Sequence, residues 1–344
     1  MANNEFLGPV ADVIGFTCIK MSLVLETFCI QNGISQPFEL IAIRAGRNSA
    51  VYRVSCLRDQ LILKHYFSHD ADKRNRLFSE YQFLTFLNEV GSQLVAKPIA
   101  CDYKNQVALY SFLEGSKPLI VSDFYIDQAV QFLLTLNRLK HDPKARNIGN
   151  ASDACFNLEQ HINLVRTRFL QFESIRPEIT EAKEVLGWIN DVLAPCWKKI
   201  GSQIPIFQEK LTTYENILSP SDFGFHNVLD FKGKLSFLDF EYAGWDSMAK
   251  LACDFICQPE LPISKLQATN FLKELASQTY NKNLVYQVET LLPVHRIKWC
   301  FILHNVFNDV HLQRRFHSGN LSQDILTVQF NKAKYYFEKY LQNS

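Results

Sequence analysis

Hydrophobic and polar positions alternate along the first third of the chain and change to a helical spacing after it. A strand-like run over 39–46, an alternating run over 50–56 and a run over 60–67 after the turn at Arg58 and Asp59 predict three strands, the first two joined by a hairpin across "GRNS". Leu77, Phe78, Tyr81 and Leu84 share one helical face within a predicted helix over 71–90. Two further strands follow, over 95–103 and 106–115. Past Gly115 the spacing predicts helices over 124–140, 152–173 and 178–200, with a break near Pro177. A loop follows, marked by Pro205, Pro220 and Gly224, and a strand within 234–244. The rest, 246–342, reads as helical with breaks at Pro259, Pro262, Pro293 and Gly319. An amphipathic pattern begins at Met21 and carries Leu23, Leu25, Phe28 and Ile30; residues 1–20 read as a poorly packed extension.

This order, β-β-β-α-β-β and then helices, predicts an α+β protein in three segments. These are an N-terminal extension and helix (1–38), a sheet lobe (39–114) and a larger helical lobe (115–344). A chain of 344 residues with 47% hydrophobic residues buries a large core without disulfides. Lysine plus arginine number 36 and aspartate plus glutamate 35, so no bulk charge recommends a nucleic-acid or membrane-surface partner. Apolar clusters near the N-terminus are interrupted by Glu5, Asp12, Lys20 and Glu26, unlike a signal peptide, and no apolar run has the length of a membrane span. Nine scattered cysteines with no CxxC pair predict buried thiols in a reduced, cytoplasmic protein.

Candidate chemistry starts with Lys64, inside the apolar run "LILKHYF". An ammonium there needs water at a sheet edge or a carboxylate partner. Glu80, on the helix that follows, is the candidate partner; such a pair holds a lysine head against phosphate oxygens. The hairpin tip, with Gly46, Asn48 and Ser49, offers backbone N–H groups that suit phosphates, or is an ordinary turn. The most informative segment is "LSPSDFGFHNVLDFKGKLSFLDFEYAGWD" (218–246). Asp222 and Asn227 stand five apart in a loop, and Asp239 follows at the end of a strand. Carboxylate and amide oxygens are hard ligands suited to Mg²⁺. A loop aspartate followed by this pair is a layout for phosphoryl transfer, with the first aspartate accepting the proton of the attacking hydroxyl.

On these residues the chain resembles the aminoglycoside phosphotransferase and choline kinase family over about 39–340. "SDFGFHNVL" resembles the family's "GDLHPGNIL" loop, and "FLDFEYAGWD" its "xIDFxxAGxGD" segment. The resemblance implies a bilobal, protein-kinase-like fold. It implies Asp222 as catalytic base, Asn227 and Asp239 as Mg²⁺ ligands, and Glu241 as a second-metal or acceptor contact. Lys64 and Glu80 become the nucleotide pair, and main-chain groups around Ser111 to Leu113 in "YSFLEG" the purine contacts, with ATP or GTP as co-substrate. The chain departs from the family in three places. Pro220-Ser221 stands where His-Gly is usual before the base, Lys250 stands at an aspartate position with Asp254 four residues on, and Arg47 and Asn48 occupy the glycine-rich turn.

The helical lobe has no dense acidic run to meet a polycationic drug. Asp246, Arg296 and Trp299 are the acceptor candidates, and Arg314 and Arg315 follow. The expected acceptor is a small hydroxylated molecule, sugar-like or an amino alcohol, with the arginines inviting an anionic sugar. The expected assembly is a monomer or homodimer. A catalytically weak, kinase-like nucleotide-binding protein is the alternative, invited by Pro220-Ser221. A kinase acting on macromolecules is disfavoured, because few residues separate Asp239 from the next helical pattern.

Overall fold

The computed structural model describes residues 22–43, 48–56, 59–173, 175, 180–204, 214–320, 322 and 324–342. The expected extension over 1–20, Gly46, Arg47 and the breaks at Pro177 and Pro205 lie outside the described residues.

Helix α1 (22–31) precedes strands β1 (Phe38–Ile43), β2 (Ser49–Cys56) and β3 (Gln60–Tyr66), then α2 (Arg76–Glu89), β4 (Pro98–Asp102) and β5 (Val107–Ser111). The five strands form one antiparallel sheet in the order β1-β2-β3-β5-β4. β3 is therefore central, and Lys64 faces Val51 on one side and Ala108 on the other. An edge position for Lys64 is excluded. Helix α2 begins later than 71 because the Asn75 side chain caps it, accepting the Phe78 N–H at 3.1 Å.

Between the lobes the chain runs past Gly115 at φ +128°, where a Cβ would stand 2.7 Å from the Asp230 carbonyl oxygen. That close approach lets Ser116 exchange two backbone hydrogen bonds with Asp230, at 3.0 and 2.8 Å, tying the connection to the helical lobe.

The helical lobe holds α3 (Asp123–Leu139), α4 (Leu158–Glu173), α5 (Thr180–Trp188) and α6 (Ala194–Gln203). A π-helical stretch, Ile189–Leu193, joins the last two. Four short strands follow, β6 (Asn216–Ser219), β7 (Val228–Phe231), β8 (Lys234–Phe237) and β9 (Gly244–Ser247), paired β6 with β9 and β7 with β8. The pattern over 234–244 predicted only one of them. The rest are four-residue strands, too short for alternation to register. Then come α7 (Met248–Cys257), α8 (Lys265–Gln278), α9 (Leu284–His304), α10 (Asp309–His317) and α11 (Ile325–Tyr340). The expected break at Pro293 does not occur, since α9 runs through it. Its apolar positions Leu291, Val294 and Ile297 are buried in the core, and that packing outweighs the roughly 3 kcal/mol preference against an interior proline. Among the described residues no helix is long and apolar enough to cross a membrane.

The largest apolar cluster spans both lobes. Tyr66, Leu77 and Phe83 of the sheet lobe join Phe132, Phe223, Phe237 and Phe240 of the helical lobe, and the Phe132 and Phe237 rings stack at 4.0 Å. Each such buried side chain contributes about 1.5–3 kcal/mol, so apolar packing, not surface charge, holds the lobes together.

Buried imidazoles set an acid limit on this fold. Burial pushes His65 down to about 3, and His295 and His304 down to about 4. Below pH 6.5 the unfolded chain takes up protons that the native imidazoles refuse, so stability falls as pH falls. Each histidine contributes a slope of about 1.4 kcal/mol per pH unit. Urea midpoints are expected to drop steeply between pH 6.5 and 4.5; a flat profile there would contradict the buried neutral state.

Candidate active site

β3 and α2 bring Lys64 and Glu80 together. Lys64 Nζ lies 2.7 Å from Glu80 Oε2, and both are buried. Tyr66 donates to the same oxygen at 2.7 Å, and the Phe240 N–H donates to Glu80 Oε1 at 3.2 Å. Glu80 therefore joins the sheet lobe to the backbone next to Asp239. Lys64 Nζ also lies 3.2 Å from Asp239 Oδ1 and 3.4 Å from Glu241 Oε1. Burial alone would lower the lysine pKa, but the charges of Asp239, Glu80 and Glu241 overcome it and hold the ammonium well above its ordinary value.

Glu241 Oε1 accepts from Ser49 Oγ at 2.5 Å, so the start of β2 is tied to the segment after β8. Its Oε2 is buried without a hydrogen bond, 3.8 Å from Arg76 Nε. Burial and the neighbouring Asp239 push the Glu241 carboxyl up to about 7. Ligand oxygens of Glu80, Asp239 and Glu241 all lie within 4.8 Å of one another. Lys64 and, at 3.8 Å, Arg76 offset two of these three carboxylates, which leaves negative charge for a further cation, and Glu241 Oε2 has no hydrogen bond. A divalent cation fits that donor set.

The loop with Asp222 is built on an unusual backbone. Ser221 has φ +68° and Asp239 φ +65°, the left-handed region that favours glycine. Ser221 thus occupies the conformation that explains glycine at this place in the resembled motif, at a cost of about 1–2 kcal/mol. Its N–H donates to Ser219 Oγ at 3.0 Å and its carbonyl accepts the Phe223 N–H at 2.8 Å, so the turn is held without the usual histidine. The Asn227 side-chain nitrogen donates to the Asp222 carbonyl at 2.9 Å, which leaves Asn227 Oδ1 as a ligand atom. The Leu238 N–H donates to the Asn227 carbonyl at 2.9 Å, placing Asp239 beside Asn227. His226 Nε2 lies 3.4 Å from Asp222 Oδ1. Sequence reasoning missed His226, although its place four residues after Asp222 was visible.

Two cavities meet at this point. One, of about 510 Å³, lies under the sheet and is lined by Lys64, Glu80, Ser49, Ser111, Leu113 and apolar side chains such as Ile62 and Leu84. The other, of about 270 Å³, lies in the helical lobe and is lined by Asp222, His226, Asn48 and Trp299. Asn227, Asp239 and Lys117 line both. Ser111 is held in the sheet: its N–H donates to the Lys97 carbonyl at 2.9 Å and its Oγ accepts the Lys97 N–H at 2.8 Å.

The acceptor candidates separate. Trp299 lines the second cavity. Arg296 does not; its guanidinium stacks on Tyr340 and donates to the Tyr340 carbonyl at 3.2 Å. Nor does Asp246, which is fully buried, accepts the Cys155 N–H at 2.9 Å and pairs with Lys250 at 3.0 Å. Lys250 reaches Asp254 at 3.0 Å as well, and Lys298 pairs with Asp254. The exchange of aspartate for Lys250 is thus matched by Asp254 one turn later.

Residues 39–256 match the phosphotransferase enzyme family. No curated protein matches the chain. Among solved structures, a choline kinase from Cryptosporidium parvum Iowa II is 14% identical, with a TM-score of 0.55 over 93% of this chain and 98% of that one. A spectinomycin phosphotransferase in complex with ADP and spectinomycin is 11% identical, with a TM-score of 0.60 over 90% and 98%. An amicoumacin kinase in complex with AMP-PNP and Ca²⁺ is 14% identical, with a TM-score of 0.54 over 92% and 93%. The fold is protein-kinase-like, and the chain belongs to the phosphotransferase enzyme family, whose members move a phosphoryl group onto a hydroxyl acceptor.

Proposed function

We propose that the protein transfers the γ-phosphoryl group of ATP or GTP to a hydroxyl of a small molecule, with Mg²⁺, in the cytoplasm. The observation that carries this is the meeting of the two cavities at Asn227 and Asp239, with Lys64 on one side and Asp222 on the other. The similar proteins in complex with ADP or AMP-PNP support the choice of nucleotide. The apolar walls of the larger cavity suit a purine, whose edge would meet main-chain groups at Phe112 and Leu113 beyond the engaged Ser111. Buried free thiols such as Cys253 and Cys300 support a reducing compartment.

Asn227 Oδ1 and Asp239 would hold the cation, with Glu241 Oε2 as a further oxygen. A bound Mg²⁺ neutralises charge on the β- and γ-phosphates. Lys64, fixed by Glu80, presents its ammonium to the phosphate oxygens. Asp222 accepts the proton as the acceptor oxygen bonds to the γ-phosphorus. The bond from that phosphorus to the β,γ-bridging oxygen breaks, and the nucleoside diphosphate leaves with the electron pair. Positioning and charge neutralisation supply most of the rate.

The test is nucleotide consumption with Mg²⁺ against a panel of alcohols, amino alcohols, sugars, sugar acids, nucleosides and aminoglycosides. One class is expected to stimulate turnover well above the hydrolysis background. Nucleotide binding with no turnover on any class would favour the non-catalytic alternative.

A further inference from the structure

The smaller cavity is lined by more cations than its carboxylates neutralise. Arg168 donates to Asp153 at 2.7 Å, and Lys250 and Lys298 share Asp254. Arg74 lies 3.3 Å from Asp72, a carboxylate that Arg76 also uses. Arg314 differs: among the described residues no carboxylate pairs with it. Only 8% exposed, it donates from Nη2 to His311 Nδ1 at 2.5 Å, and its Nε and Nη1 are buried without partners. Burial and the charges of Arg314, Arg74 and Arg168 push His311 down to about 2, so the ring is neutral and can accept that bond. Trp299 lines the same cavity, and its indole N–H is also buried and unpartnered.

Each buried donor without an acceptor is costly. Here the orphans are N–H groups, two of them on a guanidinium, so the missing partner is rich in acceptor oxygens and negatively charged. A quaternary or polyamine cation is disfavoured twice. It would meet Arg74, Arg168 and Arg314 as like charges, and the Tyr242 ring that lines the cavity is already covered by the guanidiniums of Arg74 and Arg76 at 5.7 and 5.6 Å. A volume of about 270 Å³ suits a compact molecule.

We infer that the acceptor is a small polyhydroxylated anion whose phosphate or carboxylate group is bound by Arg314 and Trp299 while a hydroxyl faces Asp222. This rests on the phosphotransferase reading above.

The test is calorimetry on the full chain with the nucleotide side filled by Mg-AMP-PNP. The probes are glucose 6-phosphate, gluconate, glucose and choline. At least one of the first two is expected to bind at least about 10-fold tighter than glucose, and choline not to bind; the first two arms separate phosphate from carboxylate. Arg314→Met should weaken that binding by about 10- to 100-fold, with Arg314→Lys between it and the native protein. Should Arg314→Met fail to fold, the native ranking of the four probes still decides. Glucose or choline binding as tightly as the anions, or neither anion binding to protein that binds Mg-AMP-PNP, overturns the inference and leaves the phosphotransferase reading standing. Failure of Mg-AMP-PNP itself to bind overturns both.

Discussion

Replacing Asp222 by asparagine is expected to lower kcat by about 10²- to 10⁴-fold while nucleotide affinity stays within a few-fold of native. The asymmetry follows from geometry. Asp222 lines the acceptor-side cavity and not the nucleotide side, and what anchors the loop is its backbone: its carbonyl accepts the Asn227 amide. Asparagine keeps that backbone bond and the side-chain volume but is no base. Steady-state kinetics beside nucleotide titration separate the two effects. Normal turnover in the variant would remove Asp222 from the chemistry; equal losses in binding and turnover would make it a structural residue.

Replacing Lys250 by methionine is expected to destabilise the protein by about 3–5 kcal/mol, lowering the melting temperature by about 5 °C. Lys250 is buried between Asp246 and Asp254, at 3.0 Å from each. Methionine fills the space and leaves the completely buried Asp246 without its cation. Lys298 still pairs with Asp254, so the loss falls mainly on Asp246. The expected variant that relieves it is the double exchange Lys250→Met with Asp246→Asn, which should recover part of the stability. A single variant as stable as the native protein would show that the buried pair carries no net weight.

The sheet lobe was legible because turn residues punctuate its short apolar runs, and Lys64 stood out as a charge among apolar residues; the face read for α2 was right at Leu77 and Leu84 but not at Phe78, which is exposed. The ordered set Asp222, Asn227 and Asp239 was legible because one short stretch of chain carries it. Less could be read where function depends on residues far apart in sequence. Arg74, Arg168 and Arg314 reach one cavity from α4, α10 and the stretch before α2, and no local pattern links them. Arg296 and Trp299 share a helix, but three positions apart only Trp299 turns toward the cavity, while Arg296 packs on Tyr340. At Pro220-Ser221, where His-Gly is usual, the left-handed turn at Ser221 and its bond to Ser219 Oγ hold the loop, and no local pattern shows that bond.

The central claim is that the nucleotide phosphates bind beside Lys64, Asn227 and Asp239, where the two cavities meet. Calorimetric titration of ATP, with and without Mg²⁺, into native protein and Asp239→Asn tests it most directly. Asparagine tolerates the left-handed backbone at this position, so the exchange removes charge without forcing the turn to change. The account predicts one Mg²⁺-dependent site per chain, weakened at least about 100-fold in the variant. Affinity that is indifferent both to Mg²⁺ and to the loss of the Asp239 charge would contradict it.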